Sequence, residues 1–241
     1  MTTQIPPRWD LSNVYPALDS KEYNADFEKL HKLITGMEDL LGAKAAGLTG
    51  KEEVSQLSVL AKEVIERYNE ILLVAGTLRA YLESFVSTDS YNKEALRKES
   101  EFDLVAVKIS QLDVLLLALV GKIAPRLPEM FTNEPKLLAH RYFLEEYARQ
   151  SRYMMSEAEE MLASELSLSG SNAWSKLQGM LTSQASAEVE VDGKLQKLPS
   201  PALINLRSHP DGEVRRRGYE VEDKLWTSLK VPLAAALNGI K

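Results

Sequence analysis

The side chains that could hold a metal ion are few and widely spaced in this sequence. Its histidines are His31, His140 and His209, and none has a second histidine four residues further on. A zinc site of the His-Glu-x-x-His type needs two, because the metal takes both imidazoles from one helical face. The absence of cysteine excludes thiolate chemistry and Cys-ligated metal sites. We therefore expect no metal and no cofactor to be bound by this chain.

One weaker metal motif is present. Glu28 and His31 have the Glu-x-x-His spacing of carboxylate-bridged di-iron bundles. Such a site needs two of these motifs and two further glutamates, and the sequence has one motif. A charged turn on a helix surface is the favoured interpretation.

Two pairs of adjacent carboxylates could in principle act as acid and base, Glu145–Glu146 and Glu159–Glu160. Neighbouring helical residues point about 100° apart, so solvated helix faces are favoured. No Gly-x-Ser-x-Gly motif and no glycine-rich phosphate loop is present. We assign no catalytic residue.

A basic cluster, Arg215–Arg217, has acidic neighbours at Glu213, Glu220 and Glu222. Ion pairing along the helix is favoured, and a clamp for a phosphate or carboxylate is the open alternative. A second cluster is apolar and fits a core-filling role better than a ligand surface. Its members are Met154, Met155 and Met161.

Composition limits the partners. The 241 residues are 44% hydrophobic, with a net charge of -6 and a pI near 5.3. Phosphate binding requires clustered cations, so nucleic acid and an anionic membrane surface are disfavoured. The N-terminus does not resemble a signal peptide, and the apolar run Val114–Val120 is too short to span a membrane. We expect a soluble, cytoplasmic protein.

The elements that must position any site are mostly helices. Two long helices are predicted, joined at residues 87–90 and packed as an antiparallel hairpin, with Asp89 as N-cap of the second. Apolar side chains recur every three or four residues in both. In the first these are Val54, Leu57, Ala61, Val64, Tyr68, Ile71, Ala75, Leu78, Leu82 and Phe85. In the second they are Ala95, Phe102, Val105, Ile109, Leu112, Leu116, Leu119 and Ile123.

Other helices are predicted over 21–42, 136–150, 157–170, 172–184, 200–207 and from 212 onward, with a break at Pro125 and Pro128. Ser20, Ser156 and Asp211 are the predicted caps. Period-two alternation around Asp192-Gly193 predicts one β-hairpin over 187–198. The fold class is therefore mainly α, an antiparallel helical bundle built on a long helical hairpin, with one small β-hairpin.

The predicted domain organisation has an extended arm over 1–18, anchored by Trp9 and Tyr15, and a helical domain over 19–241. A subdivision, if present, fits best near residue 125. Apolar spacing continues to the last residues without a following tail, which predicts a truncated protein with an exposed apolar strip. That strip comprises Trp226, Leu229, Leu233 and Ile240.

Several segments together resemble a known family. They are 7–16 (PRWDLSNVYP), 78–81 (LRAY) before 87–89 (STD), 153–160 (YMMSEAEE), 170–174 (GSNAW), 191–194 (VDGK) and 211–215 (DGEVR). In order and spacing they resemble the N-terminal part of the oligoendopeptidase F family, within the thimet-oligopeptidase-like zinc metallopeptidases. The resemblance covers essentially all 241 residues but less than half of a usual family member.

The resemblance implies a cytoplasmic enzyme that hydrolyses short peptides, with zinc held by His-Glu-x-x-His and a later Glu. Those residues are absent from 1–241, so zinc is expected in a missing catalytic domain and this chain alone should be inactive. The segment would then gate and size-select peptides, with its own catalytic domain and short peptides as partners. The alternative is a stand-alone helical protein-interaction module without catalysis.

Overall fold

A computed structural model describes residues 10–45 and 47–240, and this part of the chain is mainly helical. The α-helices are α1 (Lys21–Leu40), α2 (Val54–Thr88), α3 (Lys93–Ile123), α4 (Leu127–Asn133), α5 (Arg141–Gln150), α6 (Glu157–Leu166), α7 (Ser171–Gln184), α8 (Ser200–Asn205) and α9 (Gly212–Ile240). Two antiparallel strands, β1 (Ser186–Val191) and β2 (Lys194–Pro199), form the hairpin. The predicted fold class is confirmed.

The chain forms two compact units. The first contains the described residues up to 86 and residues 92–165, and the second contains residues 87–91 and 166–240. Pro125, near which the sequence analysis places a subdivision, lies inside the first unit.

The helical hairpin of α2 and α3 supplies much of the core of the first unit. At about 1.5 Å per residue, α2 is roughly 50 Å long, so it must bury a face along its whole length. The predicted face is the buried one, and Ile71, Leu78 and Leu112 have no exposed surface. Tyr68 and Asp113, which lie at similar distances on either side of the connecting loop, are hydrogen-bonded at 2.8 Å. The two helices are therefore antiparallel, as predicted.

The cap predicted for α3 is wrong. Asn92 is the N-cap, and its side chain accepts a hydrogen bond from the Ala95 N–H at 3.0 Å. Asp89 instead accepts from the Tyr91 N–H within the loop. Both residue types cap helices well, and beginning the helix after Asn92 places Ala95 in the core with no exposed surface.

The segment before α1 is held by Tyr15, as predicted. Tyr15 is 3% exposed, and Ser20 caps α1 by accepting from the Tyr23 N–H at 3.2 Å. From residue 10 the segment turns, with the Val14 N–H donating to the Leu11 carbonyl, instead of running fully extended. Trp9, the other predicted anchor, lies outside the described residues.

The predicted break around Pro125 and Pro128 is partly wrong. A 3-10 turn, Ala124–Arg126, leads directly into α4, and Pro128 lies in its first turn. A proline is tolerated there because that N–H would have no intrahelical acceptor. The next predicted helix begins as a 3-10 segment, Pro135–His140, and becomes α-helical only at Arg141.

The second unit packs α9 against α7, α8 and β1. Asp192 and Gly193 have positive φ angles of 51° and 74°, as the two central residues of a type I′ turn require. Val189 and Val191 of β1 are buried with Leu203, Leu206 and Val214 of the helical segments. The predicted β-hairpin and the Asp211 cap, which accepts from the Glu213 N–H at 2.8 Å, are confirmed.

Burial differs from prediction in two places: the methionine cluster and α6 are less buried than expected, and the α9 strip, predicted to be exposed, is partly covered. No residue of α6 is buried, and Leu162 is 55% exposed. Met155 is 51% exposed and so does not fill the core. In the strip predicted on α9, Trp226, Leu229 and Leu233 are half-buried. Ile240 is 39% exposed.

Two segments, Val54–Thr88 and Lys93–Asn133, are long and apolar enough to cross a membrane by length and composition alone. The core helices of a globular helical protein pass the same test. Both segments carry many of the buried side chains of the first unit. Their apolar composition therefore fits the core of a folded domain as well as it fits a membrane.

The hairpin core leads to a stability prediction. Ile71→Ala and Leu112→Ala each remove a side chain with no exposed surface, so each should lower the free energy of unfolding of the first unit by about 2 to 5 kcal/mol. Leu73→Ala is the control, because Leu73 is on the same helix and 71% exposed; it should cost under about 0.5 kcal/mol. Urea denaturation followed by circular dichroism measures both. Equal costs at buried and exposed positions would contradict the assigned core.

Candidate functional site

Among the described residues, no histidine lies in a group of three metal-ligating side chains, although His209 Nε2 is 3.8 Å from Asp192 Oδ1. His31, on α1, is exposed and contacts the Phe27 ring edge-on at 5.1 Å, and Glu28 is exposed nearby. His209 accepts a hydrogen bond from the Asp211 N–H at Nδ1. In residues 10–45 and 47–240, no three His, Asp or Glu side chains are close enough to hold a metal ion.

Each carboxylate of the first adjacent pair binds a different arginine. Glu145 pairs with Arg141 at 2.7 Å, and Glu146 pairs with Arg149 through Nε and Nη2 at 2.9 and 2.5 Å. Hydrogen bonds from Arg149 and then Gln150 lower the pKa of Glu146 to about 2. Glu146 is therefore kept ionised and each carboxylate has its own arginine, an arrangement that does not suit an acid–base pair.

The second pair, Glu159 and Glu160, accepts hydrogen bonds from backbone N–H groups just before α6. Glu159 accepts from the Ser156 N–H at 2.9 Å, while the Glu159 N–H donates to the Ser156 hydroxyl at 3.4 Å. Glu160 accepts from the Met155 N–H at 3.0 Å. This is the predicted capping box, with one further acidic contact.

The arginines of the basic cluster all have acceptors inside the second unit. Arg215 donates to the carbonyls of His209 and Pro210, at 2.6 and 2.9 Å. Arg216 pairs with glutamates three residues before and four residues after it. Arg217 pairs with Glu190 of β1 at 3.1 Å. The favoured ion-pairing interpretation fits Arg216 and Arg217 better than a clamp does, since each guanidinium of the cluster already has an acceptor within the second unit.

Two of the segments that carry the family resemblance meet in the first unit. The Tyr81 hydroxyl, on α2, donates to the carbonyl of Tyr15 at 3.0 Å, and the two rings pack edge to face with centroids 5.0 Å apart. The Tyr15 hydroxyl donates to Asp26 of α1 at 2.7 Å. These residues fix the N-terminal segment to the core, so their role here is structural.

A half-buried carboxylate shared by two tyrosines was not anticipated from the sequence. Asp113 Oδ1, on α3, accepts from Tyr68 of α2 at 2.8 Å and from Tyr147 of α5 at 2.5 Å. Burial first, and then Asp113, raise the pKa of both tyrosines well above the usual value of about 10. The three groups join three helices, and they are separated by 45 and 34 positions in sequence.

The first unit also contains a groove of about 810 Å³ between α4 and α5. One wall is apolar and includes Pro125, Pro128 and Phe131. The other wall is α5, with Arg141 and Arg149 among its side chains. Neither wall was identified as a site from the sequence.

The described residues thus define a mainly helical protein, and comparison with known proteins shows what the chain is similar to. Residues 126–185 match the family model described as Oligopeptidase F. The chain is 21% identical to Oligopeptidase PepF of Bacillus subtilis (strain 168) over 234 residues, which is 96% of this chain and 33% of that protein. The resemblance predicted from the sequence is confirmed. No solved structure matches the chain.

The shared carboxylate leads to a prediction on pH. A tyrosine whose pKa is raised by folding stabilises the folded state below its unfolded pKa, and this contribution is lost as the pH rises past about 10 toward the folded value. The free energy of unfolding of the first unit should therefore fall above pH 10. In Tyr68→Phe the fall should be shallower by about 1.4 kcal/mol per pH unit. Tyr142→Phe, at an 82% exposed position, is the control. Denaturation curves from pH 8 to 11.5 test this, and an unchanged slope in Tyr68→Phe would contradict it.

Proposed function

We propose that this chain is the N-terminal helical domain of a cytoplasmic zinc metallo-oligoendopeptidase that hydrolyses short peptides. The observation that carries the proposal is the similarity of 96% of the chain to a protein named Oligopeptidase PepF. The family match over residues 126–185 supports it independently. The chain spans about a third of the length of that relative, so the remaining two thirds would supply what is missing here.

The residues present do not fit a zinc site of this family. The three histidines lie on separate elements, and their neighbours within the described part form no group that could complete a metal site. When bound in the catalytic part, zinc would polarise the scissile carbonyl and activate a water molecule. No step of the hydrolysis is assigned to residues of this chain.

The role proposed for this domain is to gate and size-select the peptides that reach the catalytic part. A domain that limits access by size must be rigid enough not to be displaced by a flexible peptide. In the first unit, the long hairpin has a continuous buried face, and Asp113 ties α2, α3 and α5 together. These features support a wall that admits or excludes chains by size. Its partners would be the catalytic domain and short peptides, with neither nucleic acid nor membrane.

The alternative function is a stand-alone helical interaction module without catalysis. Val231 is 78% and Leu237 60% exposed on α9, and exposed apolar surface often marks a contact, which under this alternative would be made with another protein. A reading of the gene beyond residue 241 for His-Glu-x-x-His separates the two functions.

The proposal predicts how activity is divided between the two parts. The 241-residue chain, washed with chelator, should retain no stoichiometric zinc and hydrolyse no quenched fluorescent peptide. A protein extended through the catalytic part should do both, and chelator should abolish its turnover. Elemental analysis and the fluorescence assay measure the two properties. Turnover by the short chain, or a full-length protein without zinc and without turnover, would contradict the proposal.

Size selection can be tested on the full-length protein with substrates of one cleavable sequence embedded in peptides of increasing length. The rate constant kcat/KM should fall steeply beyond a limiting length, because longer chains cannot pass the helical wall. The same sequence within an unfolded protein should resist cleavage. Equal rates on the shortest peptide and the unfolded protein would exclude the gating role but leave the peptidase assignment intact.

A further inference from the structure

We propose that the groove between α4 and α5 binds the free C-terminal carboxylate of a short peptide whose last side chain is apolar. The inference rests on the proposed function in one respect, namely that peptides are the source of the carboxylate. The groove itself belongs wholly to the first unit and is built from residues 124–152. Its volume of about 810 Å³ is within the range of clefts that take small molecules.

The wall formed by α4 and its flanking turns suits an apolar side chain. Pro125, Pro128 and Pro135 all line it, and proline has no N–H, so these positions offer no backbone donors to a ligand. Leu138, at the rim, is 51% exposed. An apolar side chain placed against this wall would bury surface that now faces water.

The wall formed by α5 suits an anion. Arg141, Arg149 and Arg152 line the groove with a single carboxylate, Glu145. Glu145 pairs with Arg141 and Glu146 with Arg149, so Arg152 leaves a local excess of one positive charge, in a protein whose net charge is -6. The groove is therefore a place where this otherwise acidic protein attracts anions.

The three arginines are not equivalent. Arg141 is held by Glu145 and lies over the Phe131 ring at 5.9 Å, and Arg149 is held by Glu146. Arg152 is exposed, and among the described residues it has no hydrogen-bond or ion-pair partner. A guanidinium can bind a carboxylate through two parallel N–H donors. Arg152 is thus the donor available to a ligand, because Arg141 and Arg149 are each already paired with a glutamate.

The shape and charge together select a ligand with an apolar group and a carboxylate close to each other. The C-terminal residue of a peptide has this arrangement, because its side chain and its carboxylate branch from the same Cα. A phosphate lacks the apolar group, and a long polypeptide crossing the groove internally lacks the carboxylate.

The test uses the full 241-residue chain and ligand-observed NMR titrations with two probes, N-acetyl-leucyl-phenylalanine and its C-terminal amide. The amide should bind about fivefold more weakly, since an exposed ion pair contributes up to about 1 kcal/mol. In Arg152→Gln the acid should lose this advantage, so that both probes bind equally. Arg79→Gln is the matched control, because Arg79 is also an exposed arginine of the first unit without a partner among the described residues, and it should behave as the parent.

A second variant addresses the apolar wall. Leu138→Ala should reduce the preference for N-acetyl-leucyl-phenylalanine over N-acetyl-glycyl-glycine without changing the acid-to-amide ratio. Circular dichroism melting curves that overlay the parent curve confirm that each variant is folded, as expected at exposed positions.

Several results would overturn the proposal. Equal binding of acid and amide by the parent, or an acid preference that survives in Arg152→Gln, would show that the groove does not read the carboxylate. Binding of 3-phenylpropionate as tight as that of the peptide acid would show that peptides are not selected. Peptide hydrolysis by the full-length protein is a separate measurement. Hydrolysis without binding here would refute this inference alone, and binding without hydrolysis would refute only the proposed function.

Discussion

The burial of one face along α2 is the constraint on which the first unit depends. A helix of 35 residues gains little from its own hydrogen bonds relative to solvated chain, so its stability comes from the surface it removes from water. Ile71 and Leu78 mark this face on α2, and Leu112 and Leu116 mark the facing surface of α3. Once the two helices are paired, α1 and α5 pack onto α3.

Several polar groups inside this apolar framework have a partner of suitable chemistry. Asp113 satisfies two tyrosines. Lys98, only 7% exposed, has its Nζ 3.1 Å from the Asn24 side-chain oxygen and 4.7 Å from the centroid of the Tyr23 ring. A buried cation without a carboxylate is costly, and the ring face and the amide oxygen both offset part of that cost. Such pairings specify one arrangement of the helices, since a shifted register would leave these groups unsatisfied.

Features set by residues close together in sequence are predicted better than features set by residues far apart. The Asp192-Gly193 turn and the Ser20 and Ser156 caps depend on neighbours within a few residues, so pattern alone identified them. The choice of Asn92 over Asp89 as a cap depends on burying Ala95, which only the assembled core decides. Tyr147 and Asp113 meet across 34 positions, and no periodicity connects them. The groove between α5 and the proline-containing turns is likewise connected by no periodicity in the sequence. The family resemblance was recoverable because it depends on the order of short motifs.

One consequence concerns α6, whose ten residues include none that is buried. A helix of this length is marginal in water without tertiary support, so its order depends on the Ser156–Glu159 cap and on partial contacts. It should therefore open far more often than the hairpin beside it. Cleavage by a protease follows the population of such opened states. Residues 157–166 would then be more accessible to cleavage than the hairpin.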